Sequence, residues 1–212
     1  MKKVFVLILF SLMLLTNIFA QENVNNKPLI GGYVGVGYGI LTGNISDYIS
    51  NPFIVPLTGD IIYKGFVGQI NLDAGFSKVN KTMKFDDGTS WNDGDGAYHN
   101  AIGVNLGYSV FNNNNVRVTP LVGYAFSYIS KKWWGSSDIS QNEPEYNMWN
   151  FALIFDIKNI FNSDKSGDNP EYVGLRITAG VYLPMSEADM YSEYYDGSTI
   201  YFSVGVVNLS IL

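Results

Sequence analysis

The chain has 212 residues, of which 47% are hydrophobic and 15% are aromatic, and only 15% carry a charge. It contains no cysteine, which excludes a disulfide framework, a thiolate metal site and a cysteine nucleophile. The net charge of −6 argues against nucleic acid as a partner, because phosphate binding needs a basic surface. The apolar fraction is high enough to form a packed core, and the length suits a single domain.

Residues 1–20 have the order of a secretory signal: two lysines, an apolar run, and a small residue, Ala20, at the end. The apolar run is too short to span a bilayer comfortably, so we expect it to be cleaved after Ala20 rather than kept as an anchor. A short periplasmic segment, 21–28, then leads into one domain at 29–212. The sequence therefore predicts an exported protein.

After residue 28 the apolar residues alternate with a period of two, which is the signal of β-strands. The pattern predicts eight strands, in chain order at 29–41, 57–63, 66–77, 101–111, 116–130, 148–161, 172–184 and 199–212. The apolar phase of the last strand changes after Asn208, which predicts either a β-bulge or a position for Asn208 at the periplasmic rim.

The connections between these strands alternate in length. The short ones are rich in glycine, asparagine and other polar residues and lie at 64–65, 112–115 and 162–171, whereas the long ones lie at 42–56, 79–100, 131–147 and 185–198. Gly and Asn suit tight hairpins because they tolerate positive φ. Short turns at one end and long loops at the other are typical of an outer-membrane barrel.

One face of each predicted strand is apolar and the other is polar or small. In the third strand, for example, Ile70 and Leu72 oppose Asn71 and Asp73. An apolar face with almost no charge would form a continuous exposed patch in water, and the bilayer is the better solvent for it. We therefore expect an all-β fold, an eight-stranded antiparallel up-and-down transmembrane β-barrel. Aromatic girdles are predicted at the loop ends (Tyr128, Trp149, Tyr201) and at the turn ends (Tyr63, Tyr108, Phe155, Phe161).

The motifs GGYVGVGYG, LVGYAFSY and GLRITAGVYLP, together with the signal and the alternating loops, resemble the small eight-stranded outer-membrane barrels. This porin-family group includes outer membrane protein X and the membrane domain of outer membrane protein A. The resemblance covers nearly all of 29–212 and implies a location in the bacterial outer membrane. The Asn- and Tyr-rich loops resemble those of Bacteroidetes-type bacteria. Such a likeness identifies architecture and does not transfer an activity.

The interior of an eight-stranded barrel is just wide enough for side chains to fill it. The charged residues predicted to point inward carry both signs, and we expect them to pair and to plug the lumen rather than to line an ion path. They are Asp60, Lys64, Asp73, Arg117, Asp156 and Arg176.

The long loops contain aromatic residues among polar ones, a composition that is typical of binding surfaces. The candidate contact residues are Trp91, Trp133, Trp134, Tyr191, Tyr194 and Tyr195. The pair at 133–134 follows two lysines and could equally mark the outer boundary of the lipid. The segment 185–195 could form a helical turn over the barrel mouth.

Two further sites can be considered, although the sequence favours neither. A carboxylate-rich loop carries Asp86, Asp87, Asp93 and Asp95, which are weak Ca²⁺ candidates because the EF-hand order of ligands is absent. The single histidine, His99, could form a catalytic site at the outer rim with a serine (Ser77, Ser127 or Ser130) and a nearby carboxylate (Asp93 or Asp95).

The leading hypothesis is a non-enzymatic integral barrel, without a cofactor, whose extracellular loops bind other components of the outer membrane. The expected partners are outer-membrane lipid, lipopolysaccharide or another outer-membrane protein. The alternatives are an enzyme at the outer rim that acts on lipid, and a purely structural barrel of the envelope.

Overall fold

The computed structural model of the chain describes residues 27–85, 88–131, 145–160, 171–185 and 192–212. The predicted signal segment 1–20 lies outside these residues. The described elements, in chain order, are β1 (Leu29–Thr42), α1 (Ile45–Tyr48), β2 (Phe53–Tyr63), β3 (Phe66–Lys78), β4 (Met83–Lys84), β5 (Ser90–Trp91), β6 (Gly96–Tyr108), β7 (Phe111–Asn112), β8 (Val116–Ser130), β9 (Glu145–Ile157), β10 (Tyr172–Pro184), α2 (Ser192–Tyr195) and β11 (Ser198–Ile211).

Eight long antiparallel strands in the described part of the chain close into a barrel. Each long strand pairs with its neighbours in the sequence of long strands, and the first strand pairs with the last, from Leu29↔Ile211 to Thr42↔Ser198. The sheet is continuous across β3, β6 and β8, where β6 pairs with both neighbours. The predicted eight-stranded up-and-down barrel is therefore confirmed. None of the described helices is long and apolar enough to cross a membrane.

The alternation of side chains decides the two surfaces of the barrel, because successive residues of a strand point to opposite faces. The outward residues are large, apolar and exposed, and they form a belt around the middle of the barrel. The belt comprises Ile30, Val34, Val36, Leu57, Ile61, Phe66, Ile70, Ile102, Val104, Leu106, Val122, Phe151, Leu153, Ile177, Phe202, Val204 and Val206. A bilayer is the solvent that such a surface requires.

Three strands, β2, β6 and β9, start three or more residues earlier than the alternation predicts. In β2 the first residue is Phe53 rather than Leu57, and Pro56 lies inside the strand. A proline lacks the N–H that a ladder needs, but the β1–β2 ladder has a gap between Val34↔Leu57 and Gly37↔Ile54, and this gap accommodates Pro56.

The last strand, β11, contains no bulge. Its register with β1 and with β10 is unbroken on both sides of Asn208, so the bulge alternative is wrong. The phase change has another cause: the inward residues Val207 and Leu209 are buried in an apolar cluster at the periplasmic end of the lumen. The outward Asn208 lies three residues before the end of the strand, close to the periplasmic rim.

The outer mouth of the barrel is covered by folded loop segments, which we call the cap. It consists of α1 in the loop L1 (43–52), the β4–β5 hairpin in the loop L2 (79–95), and α2 in the loop L4 (185–197). A buried apolar cluster joins these segments to the upper lumen. Its cap members are Ile45, Ile49, Val79, Met83, Phe85, Trp91 and Tyr195.

Candidate functional site

The centre of the lower lumen is a buried group of four charged side chains. Arg117 Nη2 lies 2.5 Å from Asp156 Oδ2, and Arg176 Nε lies 2.7 Å from Asp156 Oδ1. Arg176 Nη1 also lies 2.6 Å from Asp60 Oδ2. Tyr172 donates its hydroxyl proton to Asp156 over 2.7 Å. Two acids and two bases cancel in charge, which is what allows them to lie together away from water.

A chain of amide side chains connects this charged group to the middle of the lumen. Gln69 donates to Asp60 over 2.9 Å. Asn105 donates to Gln69 over 2.9 Å, and Asn150 donates to Asn105 over 2.9 Å. The hydroxyl of Tyr201 completes the chain by donating to Asn150 over 2.9 Å. All four hydrogen bonds run in the same direction and end at the carboxylate of Asp60. Each amide in the chain therefore has one defined orientation.

A branch of the same network leaves Asn105 and ends at a third carboxylate, that of Asp73. Asn71 accepts from Asn105 over 3.1 Å and donates to the hydroxyl of Tyr182 over 3.0 Å. Tyr182 in turn donates to Asp73, and its ring stacks on that of Tyr201 with a centroid distance of 4.9 Å. Asp73 thus accepts hydrogen bonds from the neutral side chains of Asn71 and Tyr182, whereas Asp60 and Asp156 also form ion pairs with arginine.

The lumen is closed at both ends in the described residues. Below the charged group, the apolar cluster of Leu29, Ile62, Val67, Val207 and Leu209 fills the periplasmic end. Above the amides, the cap cluster fills the outer end. A cavity of about 20 Å³ remains between them, near Asp73, Asn150, Arg176 and Tyr201. A space of this size holds about one water molecule.

Five of the six charged residues predicted for the lumen lie there, namely Asp60, Asp73, Arg117, Asp156 and Arg176. The prediction for Lys64 is wrong. Lys64 and Gly65 form the β2–β3 turn with φ values of 49° and 83°, which is the positive-φ geometry of a tight hairpin. The lysine is exposed, and its Nζ lies 5.3 Å from the centroid of the Tyr63 ring.

One residue of the predicted aromatic girdle, Tyr201, does not lie on the outer surface. Trp149, Tyr63, Tyr108 and Phe155 are exposed on the outer surface near strand ends, and Tyr128 is half-buried. Tyr201 instead faces the lumen and is buried against Tyr182, because its odd position in β11 places it on the inward face. Phe161 lies outside the described residues.

Two loop aromatics predicted to contact an external partner are buried inside the cap. Trp91 is 2% exposed and Tyr195 is 1% exposed, and their ring centroids lie 6.0 Å apart. They are packing residues, so their assignment as direct contact residues is wrong. Tyr194 is half-buried, and its hydroxyl donates to the backbone oxygen of Lys84 over 3.1 Å. Trp133, Trp134 and Tyr191 lie outside the described residues.

The acidic part of L2 is held by a lysine at the start of the loop L3 (131–144). Lys131 Nζ lies 2.7 Å from Asp95 Oδ2, and the Asn92 N–H donates to the same oxygen over 2.7 Å. The hydrogen bond from Lys131, followed by that from Asn92, lowers the pKa of Asp95. Asp93 is exposed, and Asp86 and Asp87 lie outside the described residues. No group of three metal-binding side chains occurs among the residues described.

The histidine of the proposed rim enzyme does meet a serine. His99 Nε2 lies 2.8 Å from Ser77 Oγ, on the lumen side of the β3–β6 pair. Ser77 also donates to the backbone oxygen of Ala97 over 3.0 Å, so its proton is directed away from His99. Within the described residues no carboxylate hydrogen-bonds His99, and both Ser127 and Ser130 are buried elsewhere on β8. The arrangement has the contacts of a structural pair rather than those of a catalytic triad.

The fold and its apolar belt define a small transmembrane β-barrel of the outer-membrane type. No family model matches the chain, and no curated protein matches it. Among solved structures it is similar to Ail, the attachment invasion locus protein of Yersinia pestis, in a crystal structure with the heparin analogue sucrose octasulfate. The identity is 10% and the TM-score is 0.47, with 87% of this chain and 99% of that chain covered. A TM-score this low does not by itself establish a common fold, so the barrel rests on the strand pairing described above.

Proposed function

We propose that this chain is a non-enzymatic integral outer-membrane barrel whose outer loops bind lipid, lipopolysaccharide or another protein of that membrane. Export would use the segment 1–20 as a cleaved signal, and 29–212 would form the barrel. The observation that carries the proposal is the sealed lumen beneath a folded cap. If the filled lumen conducts no solute, the packed outer end is the surface that remains for an interaction.

The cap is suited to binding because its described segments are packed against one another. L1, L2 and L4 share one buried cluster that includes Ile49, Trp91 and Tyr195, and Tyr146 donates its hydroxyl proton to the backbone oxygen of Tyr195 over 2.9 Å. Binding by a preformed surface avoids the entropy cost of ordering loops. This argument favours a binding barrel over a purely structural one.

Two measurements test the proposal. In planar bilayers we expect the purified protein to show no conductance comparable to that of an open porin, because the lumen is filled. In a pull-down from membranes in gentle detergent, we expect the intact chain to recover a partner or bound lipopolysaccharide. Open-porin conductance, or recovery of a bare barrel free of both, would contradict the proposal.

A variant that lacks L2 tests whether this loop is part of the binding surface. Lys78 and Gly96 are directly paired across the β3–β6 hairpin, so 79–95 can be replaced by a two-residue Asn-Gly turn without changing the register. We expect this variant to assemble as a heat-modifiable barrel and to lose the associated component. Retained association would show that L2 is not part of the binding surface.

The second candidate function is an enzyme acting on lipid, which would have to use the pair of Ser77 Oγ and His99 Nε2, 2.8 Å apart. It predicts that membranes containing the protein release a lipid product and that His99→Ala abolishes this release. The same release from the variant, or no release from either protein, removes this candidate.

A further inference from the structure

One carboxylate of the lumen, that of Asp73, has no basic partner among the described residues. Arg176 pairs with both Asp60 and Asp156, and Asp156 also pairs with Arg117. These four side chains balance one another in charge. Asp73 lies apart from them, at the end of the amide branch, and its described hydrogen-bond partners are neutral.

The other basic residues of the chain stand at the ends of the barrel or on its outer surface. Lys158 follows β9 at the periplasmic end, where its Nζ donates to Asn112 Oδ1 over 2.6 Å and to the backbone oxygen of Asn113 over 2.7 Å. The basic residues outside the described ranges stand at 2, 3, 132 and 165, which are all beyond the ends of the long strands. The strands themselves therefore place no counter-charge beside Asp73.

The second oxygen of this carboxylate is available to bind a further group. The described hydrogen bonds of Asp73 reach only Oδ2, from Asn71 Nδ2 over 3.4 Å and from the hydroxyl of Tyr182. Oδ1 accepts none from the described residues. Asp73 points into the lumen and lines the cavity of about 20 Å³, so the surface that it keeps accessible faces this space.

The hydroxyl groups around the cavity can offer it lone pairs rather than protons. A hydroxyl has one proton and two lone pairs. Tyr201 donates its proton to Asn150 over 2.9 Å, and Tyr33 donates to Ser203 over 2.9 Å. The proton of Tyr182 is directed at the carboxylate itself. All of these residues line the cavity, which is therefore rich in the oxygen ligands that hard cations take.

Arg176 also borders the cavity, but its positive charge is compensated. Its Nε and Nη2 donate to Asp156 over 2.7 and 3.3 Å, and its Nη1 lies 2.6 Å from Asp60 Oδ2. Arg117 completes the balance of two acids and two bases. The guanidinium group is thus bound to its own carboxylates and leaves the charge of Asp73 to another partner.

We propose that an alkali-metal ion binds in this cavity, with Asp73 Oδ1 as its charged ligand and neutral oxygens of the lining as its other ligands. A single carboxylate matches a single positive charge, and a space of about one water molecule suits a small bare ion. A buried carboxylate without a partner is costly, and a bound cation removes most of this cost. The ion stabilises the barrel from inside and requires neither a path through the lumen nor a partner at the loops.

The test measures the stability of the full mature chain in zwitterionic lipid vesicles at increasing Na⁺ and, separately, at increasing K⁺. N-methylglucamine, whose cation is too large for the cavity, keeps the ionic strength constant, so screening does not change. Once the site is mostly occupied, the folding equilibrium constant from urea unfolding should rise about tenfold for each tenfold rise in the bound ion. Asp73→Asn should abolish this dependence, whereas Asp93→Asn, at an exposed loop carboxylate, should retain it.

A second measurement does not require a variant to fold. Crystals of the unaltered mature chain grown with a thallium(I) salt, an alkali-ion substitute, should show an anomalous peak beside Asp73. A crystal without this peak would overturn the proposal, as would a dependence that Asp73→Asn retains. Equal stability at all concentrations of both ions would mean that a proton neutralises the carboxyl group. A dependence that appears only in Lys132→Gln would assign the counter-charge to a lysine of L3.

Discussion

The polar middle of the lumen and the cap are both buried, but opposite kinds of interaction hold them. In the lumen, Asp156 and Arg176 are almost inaccessible to solvent and depend on each other and on a continuous hydrogen-bond network. In the cap, Trp91 and Tyr195 are equally inaccessible and depend on apolar contact. The difference follows from the kind of backbone that carries each residue. A strand places every second residue inside the barrel, whether it is polar or apolar, whereas no such alternation constrains which residues of a loop are buried.

This contrast has an energetic consequence. A buried charged network depends on the presence of all its members, because removing one partner leaves another charge without compensation. An apolar cluster loses stability gradually, in proportion to the area and volume removed. We therefore expect damage in the lumen to affect the whole barrel and damage in the cap to remain local. The following changes test this contrast, from the largest expected effect to the smallest.

Asp156→Ala should have the largest effect. It removes the acceptor shared by Arg117 and Arg176, and Arg117 is then left buried without an acidic partner. We expect a loss of about 3–5 kcal/mol in the free energy of unfolding. Urea unfolding from lipid vesicles, followed by tryptophan fluorescence, measures it. Asp93→Ala, at an exposed loop carboxylate, is the control and should change stability little; a similarly small effect at Asp156 would contradict the charged-network interpretation.

Trp91→Ala should open the cap while the barrel stays folded. Its ring packs against Phe85 and Tyr195, and its removal should cost about 3 kcal/mol of local stability. Hydrogen exchange should show lost protection in L2 and L4 with unchanged protection in the strands. Trp149→Ala, at an exposed tryptophan on the lipid face, should leave the cap protected. If strand amides lost protection together with the loops, the cap and barrel would be one cooperative unit.

Gly123→Ala should destabilise the barrel by about 1–3 kcal/mol through overpacking of the lumen. A Cβ at this inward position would lie 2.0 Å from Asn105 Oδ1 and 2.3 Å from the backbone oxygen of Val104. The matched control is Gly59→Ala in β2, where a Cβ would meet nothing within 4 Å. Unfolding in urea should give a lower free energy of unfolding for Gly123→Ala than for Gly59→Ala. Equal values would show that the lumen can accommodate an additional methyl group at this position.

The smallest effect concerns the junction of L2 and L3. Because Lys131 lowers the pKa of Asp95, the pair stabilises the junction fully above the ordinary carboxyl pKa, and this contribution disappears as the pH falls through the lowered value. Proteolysis of the outer loops should therefore become faster only in strong acid. Asp95→Asn should remove this pH dependence of proteolysis at the junction. If the proteolysis rate of the variant still depended on pH in the same way, a group other than Asp95 would be responsible.

The lumen could be predicted from the sequence better than the cap, and the residues show why. Asp60, Arg117, Asp156 and Arg176 lie on strands, where alternation assigns a face to each residue. Lys64 was misassigned because alternation does not show where a strand ends and a turn begins. Trp91 and Tyr195 were misassigned because nothing local distinguishes a loop aromatic that packs inward from one that faces a partner.

The early start of β2 and the unbroken register of β11 could not be predicted either. A proline normally argues against a central strand, and only the gap in the β1–β2 ladder makes Pro56 acceptable there. The phase change near Asn208 suggested a bulge, but Val207 and Leu209 are apolar because they fill the end of the lumen. In both cases the decisive information belongs to a neighbouring strand.

The sequence by itself determined the barrel: strand number and facing follow from a period of two, the up-and-down order follows from the alternating connection lengths, and the nearly charge-free outer faces require lipid. Only the tertiary structure decided which partners the inward side chains select and how the loops close the mouth. Alternation is a local property of the chain, written into each strand. The pairing of Arg176 with Asp60, or the burial of Trp91 beneath its neighbouring loops, depends on residues more than a hundred positions apart being brought into contact.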